Sequence, residues 1–269
     1  MLKKVLIGIG GLLVLAIITV AAYVLRPPSE ASAPIEAVPV EVGVSESETA
    51  LESESTVEGA PSKVQDDAPT EVQDSEEIAA VVSVGNEESS GDIVIFSIVQ
   101  GDSEARFTLD ELLRGEPTTV VGATNQVAGE IAVDFDNPTN SQAGTILVNA
   151  RTLTTDNNFR NRAINNEILD TQEFEFITFT PTSIAGFPEN PQFGLELVFQ
   201  MTGDLTIRDI TREVTFDARV IVESDSQLSG YASTMIARAD FELNIPSVAS
   251  VADVDEEVLL EIEYVAIAK

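Results

Sequence analysis

The sequence predicts an all-β domain with one or two short helices, built on an antiparallel sheet and preceded by an apolar N-terminal helix and a disordered acidic linker. Three observations carry this. Apolar and polar residues alternate with period two in a series of short stretches between Ile93 and Ala268, as in strands half buried on one face. Only one stretch, around Arg160 to Leu169, has helical spacing, and without strand–helix–strand alternation the sheet is antiparallel rather than doubly wound. All 12 Phe residues lie between Phe96 and Phe241, whereas residues 27–91 contain no aromatic, so one globular domain occupies residues 92–269 and is large enough for a core.

In chain order, Met1-Leu2-Lys3-Lys4 precede residues 5–25, which carry no charge. At about 1.5 Å per residue this run spans roughly 31 Å, the thickness of a bilayer core. Residues 1–26 are therefore expected to be a transmembrane signal anchor, with the membrane as partner through residues 5–25. Lys3 and Lys4 place the N-terminus in the cytoplasm and the C-terminal domain on the extracytoplasmic side, in a single pass. Small residues at Val20-Ala21-Ala22 keep signal-peptide cleavage open, which would make the domain secreted or periplasmic, although the apolar run exceeds the ~7–15 residues usual for such a signal. Residues 27–91 hold sixteen acidic residues against one basic residue, Lys63, in Ser-Glu runs too polar to offset the entropy of ordering. They are expected to be a disordered linker, with residues 78–84 an apolar excursion within it.

The β domain opens with residues 93–99 and 103–112, joined by Gln100-Gly101-Asp102, which read as a hairpin with Ala105, Phe107 and Leu109 on one face. Residues 118–124 and 126–135 follow, interrupted by Gly122 and Gly129, which suggest the bulges or bends that let a sheet curl. A loop at 136–140 leads to a strand at 143–150. The helix comes next, capped by Asp156 or Asn157, with Ile164, Ile168 and Leu169 on its apolar face. Residues 174–184 form another strand. Leu195, Leu197, Phe199 and Met201 alternate before Gly203, and Val214, Phe216, Ala218, Val220 and Val222 alternate after it, so this region is a hairpin whose reversal is expected at Asp209. Residues 228–241 and 256–268 complete the sheet, the last with Val258, Leu260, Ile262 and Tyr264 on one face and Glu261 and Glu263 on the other. Such a sheet closes into a barrel or folds into a sandwich, and pattern alone does not choose.

The stretch Gly203-Asp204-Leu205-Thr206-Ile207-Arg208-Asp209-Ile210-Thr211-Arg212-Glu213-Val214 resembles the signature hairpin of the YceI-like lipid-binding domains, with Asp209 where the family usually has Gly and Glu213 where it usually has Pro. Leu153-Thr154-Thr155-Asp156, Arg160-Asn161-Arg162, Ile168-Leu169-Asp170 and Phe174 are similar to the family's helix segment, with Asn161 in place of the usual Asp. Ala237-Arg238-Ala239-Asp240-Phe241 is similar to its N-R-x-D-F segment, with Ala237 in place of Asn, and Ser103 and Phe107 fall at its opening Ser and Phe. These segments recur in order from about Val94 to Ala268. The resemblance implies a lipocalin-like antiparallel β-barrel that carries a long isoprenoid chain inside it, with no cofactor beyond that lipid.

Composition excludes much chemistry. The absence of Cys and His removes disulfides, thiolate nucleophiles, imidazole bases and the usual zinc or copper ligands. No Ser has a His or Lys partner to activate it, and no glycine-rich phosphate loop precedes the helix, so no enzyme is expected. A net charge of −32 repels nucleic acid and anionic surfaces. Asp253-Val254-Asp255-Glu256-Glu257 offers oxygen ligands for calcium but reads as a solvated loop, so no metal is expected.

The inward set Phe96, Phe107, Ile131, Val133, Phe179, Leu197, Phe199, Phe216 and Ile262 either lines a ligand cavity or fills a core; alternation leaves the two equal, and the resemblance favours the cavity. Arg151, Arg160 and Arg238 are headgroup candidates, because guanidinium forks suit phosphate oxygens; the competing reading pairs the domain's arginines with Asp156, Asp209 or Asp240 as braces. The expectation is a membrane-tethered, extracytoplasmic protein holding an isoprenoid or other long-chain lipid. Its alternative is a filled-barrel structural or partner-binding module with an acidic surface. A homo-oligomer stays open.

Overall fold

The computed structural model describes residues 30–32, 35–40, 93–188, 192, 194–248 and 250–269. The expected anchor, residues 5–25, and most of the expected linker, including residues 78–84, lie outside the described residues. Among the described residues no helix is long and apolar enough to cross a membrane.

The strands are β1 (Ile93–Ile98), β2 (Glu104–Leu113), β3 (Glu116–Thr124), β4 (Val127–Ala128), β5 (Glu130–Asp134), β6 (Gln142–Ala143), β7 (Ile146–Asn149), β8 (Phe176–Ala185), β9 (Glu196–Ile207), β10 (Ile210–Ser224), β11 (Gln227–Ala237), β12 (Val251–Ala252) and β13 (Glu257–Ala268). All belong to one sheet, and every pairing is antiparallel. The order runs β7-β8-β9-β10-β11-β13-β1-β5. β5 pairs with β1 and β6, while β4, which precedes it across Gly129, pairs with β7. The two ends of the strand order therefore meet on one stretch of chain, and the sheet curls around an apolar interior in a lipocalin-like arrangement. Between β7 and β8 lies helix α1 (Asn158–Ala163), continued by a π-helical turn at Ile164–Ile168. Of the two candidate caps, Asn157 does the work: its side-chain oxygen accepts the amides of Phe159 and Arg160.

The interior divides into two apolar clusters. One, at the α1 end, gathers Ile164, Leu169, Phe179, Phe216, Phe241 and Val258. The other gathers Phe96, Ala105, Leu197, Val220, Leu228 and Ala266. Phe179 meets Phe216 edge-on at 4.8 Å, and Phe187 meets Phe199 at 5.4 Å, the geometry that ring quadrupoles favour.

Three sequence expectations change. β1 and β2 are not a hairpin: both pair with β13, β1 through Phe96–Ile98 and β2 through Glu104–Thr108. The 3 residues Gln100–Asp102 form a 3-10 turn that shifts the register without reversing the chain. Ser103 spans the break, its hydroxyl accepting the Val265 amide and donating to the Val265 carbonyl. In the β9–β10 hairpin, Arg208 rather than Asp209 takes the left-handed conformation, at φ 59°. Residues 238–241, expected to continue a strand, form a 3-10 helix that turns Phe241 into the core.

Part of the expected linker is among the described residues. Residues 30–32 and 35–40 lie against the curled sheet as a strap. Ser32 donates its amide and hydroxyl to Glu175 at 2.6 and 2.9 Å, Gln100 donates to the Ile35 carbonyl at 2.7 Å, and the Val40 amide donates to Glu130 at 3.1 Å. Ile35 is buried. These specific partners supply what composition could not foresee. Desolvation pushes the Glu175 carboxyl up, but hydrogen bonds from Ser32 and Asn149 and the charge of Arg151 outweigh it and hold the group below its ordinary value. Glu130 is likewise held low, with Lys269 and the Val40 amide overcoming its desolvation.

Candidate functional site: an apolar cavity within the sheet

Inward residues of β2, β5, β8, β9, β10, β11 and β13 line a cavity of about 1210 Å³, to whose wall α1 and the π-turn add Arg160, Ala163, Ile164 and Ile168. Drug-sized ligands occupy pockets of about 300–1,000 Å³, so this space exceeds what a small metabolite needs. Parity builds the walls. In β10 the buried Phe216, Ala218 and Val220 alternate with exposed Asp217 and Arg219, and in β9 Leu197, Phe199, Met201, Leu205 and Ile207 face in. Gly122, directly across from Phe107, leaves room for that ring to lie over the sheet, and a side chain there would collide with it.

Of the nine residues expected to face a ligand, Phe107, Ile131, Val133, Phe179, Leu197, Phe199, Phe216 and Ile262 line the cavity. Phe96 does not. It is fully buried in the second cluster, 6.3 Å from Phe135, and serves packing alone. Residues passed over in the sequence include Leu109, Glu111, Ile168, Ile236 and Tyr264. Parity was a usable signal for Leu109, Glu111 and Tyr264: the first two continue the Ala105, Phe107 series, and Tyr264 continues the Ile262 series.

The arginines divide by partner. Arg160 lines the cavity, and its Nη2 meets the Glu111 carboxylate at 2.8 Å while its Nη1 meets Asp156 at 2.6 Å. Glu111 is 6% exposed and Asp156 85% exposed, so one arm of this arginine is buried and the other is in water. Arg238 also lines the cavity but donates to the carbonyls of Leu243, Val254 and Asp255 and to Glu256. Arg151 lies off the cavity, holding Glu175 at 2.7 Å and the carbonyls of Thr171 and Gln172. All three candidates thus act as braces in this structure. Asn161, where the family usually has Asp, keeps the acceptor function: its Oδ1 takes the amide and hydroxyl of Thr155, each at 2.7 Å.

Nothing in the cavity resembles a nucleophile–base pair. Among the described residues no three acidic side chains cluster to hold a metal ion, and Glu256 of the calcium candidate is committed to Arg238 and the Ala239 amide.

A family model described as the YceI-like domain matches residues 96–266. A UPF0312 protein of Shewanella sp. (strain ANA-3) is 26% identical over 150 residues, covering 53% of this chain and 73% of that protein. A second UPF0312 protein, from Shewanella sp. (strain MR-4), is 28% identical over 127 residues, covering 46% of this chain and 61% of its own. The solved structure of a polyisoprenoid binding domain from Saccharophagus degradans superimposes with a TM-score of 0.50 at 13% identity, covering 66% of this chain and 99% of that one, and shares the fold.

Proposed function

Since the chain belongs to the YceI-like domain family, we propose that it holds a long-chain isoprenoid-type lipid inside the curled sheet, acting as a binding protein and not an enzyme. The observation that carries this is the cavity of about 1210 Å³ with a predominantly aliphatic and aromatic wall. A packed, filled barrel would have no such space, which weighs against the structural-module alternative. Each buried methylene contributes about 0.8 kcal/mol. A chain of tens of carbons would then nominally exceed the ~18–21 kcal/mol reached by the tightest complexes, so ordering and loading costs must absorb much of it. A lipid held this way needs few polar contacts, which is consistent with arginines that serve as braces. The polyisoprenoid-binding description of the Saccharophagus degradans domain supports the ligand class. The proposal includes closure of the sheet as a barrel, anchoring through residues 5–25 and an extracytoplasmic domain, motivated by the uncharged N-terminal run behind Lys3 and Lys4.

The test is to purify the full chain, extract it with organic solvent and analyse the extract by mass spectrometry. One isoprenoid lipid per chain is expected. A lipid-free extract, together with no uptake of added polyprenyl lipid, would refute the reading and leave the filled module.

A further inference from the structure

Tyr264 places a polar group inside the cavity that has no hydrogen-bond partner among the described residues. It sits on the inward face of β13, in series with Leu260 and Ile262, and lines the cavity beside the second apolar cluster. Its cross-strand neighbour on β11 is Gly230. A side chain at Gly230 would run into the Tyr264 ring and its hydroxyl, so the glycine provides the bed on which the phenol lies. The ring is held by its surroundings, but the hydroxyl forms no hydrogen bond with any described residue. The residue is half-buried and lines the cavity, so a ligand there can supply the partner that a hydroxyl normally finds. Its phenol is a neutral donor at physiological pH, and burial pushes it further up, to about 12.

The other buried lining groups are satisfied. Glu111 and Arg160 hold each other, Arg238 holds three carbonyls and Glu256, and Asp134 accepts the amides of Asp136 and Asn137. Arg114, a lining cation without an ion pair among the described residues, is exposed at the β2–β3 turn, where it meets water. A charged headgroup would have to stay at that rim, because the space around Tyr264 is apolar and offers no counter-charge.

Resting on the lipid-binding reading, we propose that Tyr264 is the specificity-determining contact for an uncharged oxygen, a carbonyl or hydroxyl, carried by the bound lipid. The cavity then favours a neutral oxygenated isoprenoid over both a bare hydrocarbon and a diphosphate. The contact is a single hydrogen bond donated by the phenol to a ligand that brings its own acceptor into the apolar end of the cavity.

The experiment measures binding of solanesol, a polyprenyl ketone, squalene and a polyprenyl diphosphate to the delipidated full chain and to Tyr264→Phe, with circular dichroism confirming that the variant is folded. The variant should lose about tenfold in affinity for the alcohol and the ketone, equivalent to about 1.4 kcal/mol, and change little for squalene and the diphosphate. The carbonyl stretch of the bound ketone should move to higher frequency in the variant. Gly230→Ala, which displaces the ring, should reproduce the selective loss. An equal loss for all four probes, or no loss for any, would overturn the role of Tyr264 while leaving lipid binding standing. Failure of the wild-type chain to bind any probe would instead overturn the lipid reading, and this inference with it.

Discussion

Replacing Arg160 by Met should remove about 3–5 kcal/mol of stability, because it strands a buried carboxylate. The magnitude follows from the two arms of this arginine. Its Nη2 lies 2.8 Å from Glu111, which is 6% exposed and faces the apolar cavity. Its Nη1 lies 2.6 Å from Asp156, which is 85% exposed, and contributes little in water. Asp156→Asn should therefore cost less than about 1 kcal/mol. The double replacement Glu111→Leu with Arg160→Met should recover most of the loss, since an apolar pair of similar volume in place of a buried ion pair is often neutral or better. Urea unfolding followed by circular dichroism measures all three. In a domain of this size each kcal/mol moves the melting temperature by roughly 2–4 °C, so Arg160→Met should melt about 6–20 °C lower. A loss under about 1 kcal/mol for Arg160→Met would refute the reasoning, because it would mean that water reaches Glu111 and that this end of the cavity is not apolar.

Acid should loosen the strap before it harms the hairpins. The Glu130 and Glu175 carboxyls are held below their ordinary value of 4.5 in the folded chain, so their stabilisation is complete above that value and is lost as pH falls through the lower folded values. Hydrogen exchange at the Val40 amide, followed from pH 6 down to pH 3, should show protection falling only below about pH 4.5; protection that is flat across the range would count against the strap's carboxylate contacts. Ile35→Ala, which empties a buried site, should weaken the same protection and reduce stability by up to about 2 kcal/mol, limited by the strap's own docking energy. Gly122→Ala should cost about 1–3 kcal/mol in thermal unfolding, because the new methyl group overlaps the Phe107 ring.

Strands were legible where one face is buried and the other wet, as in β9, β10 and β13, since alternation then records the environment residue by residue. The β1–β2 step was misread because Gln100-Gly101-Asp102 has the composition of a reversing turn, while the pairing that overrules it is supplied by β13, more than 150 residues later. The left-handed position fell to Arg208 instead of Asp209 because hairpin register, set by Ile207 opposite Ile210, fixes which residue must turn. In the cavity, apolar lining residues were legible by parity, and Phe96 shows the limit of that signal: facing inward does not distinguish wall from packing. Glu111 was passed over because a lone inward carboxylate makes sense only beside Arg160, a contact across 49 positions of sequence.

The strap changes what the acidic stretch is for. Residue 40 is fastened to Glu130, and residue 93 begins β1 opposite Asp134. Both of these attachment points lie on the sheet, so the length of residues 41–92 does not add to the distance the domain could travel from an anchor. If residues 5–25 sit in a bilayer as proposed, only residues 26–29 separate it from the docked strap, a reach of at most about 14 Å at 3.3–3.6 Å per residue. The domain would ride against the lipid surface on a short stem. Cleavage within residues 41–92 would leave the strap attached to the sheet only by noncovalent contacts, among them its hydrogen bonds to Glu175, Gln100 and Glu130 and the burial of Ile35, and acid would weaken the carboxylate part of that hold.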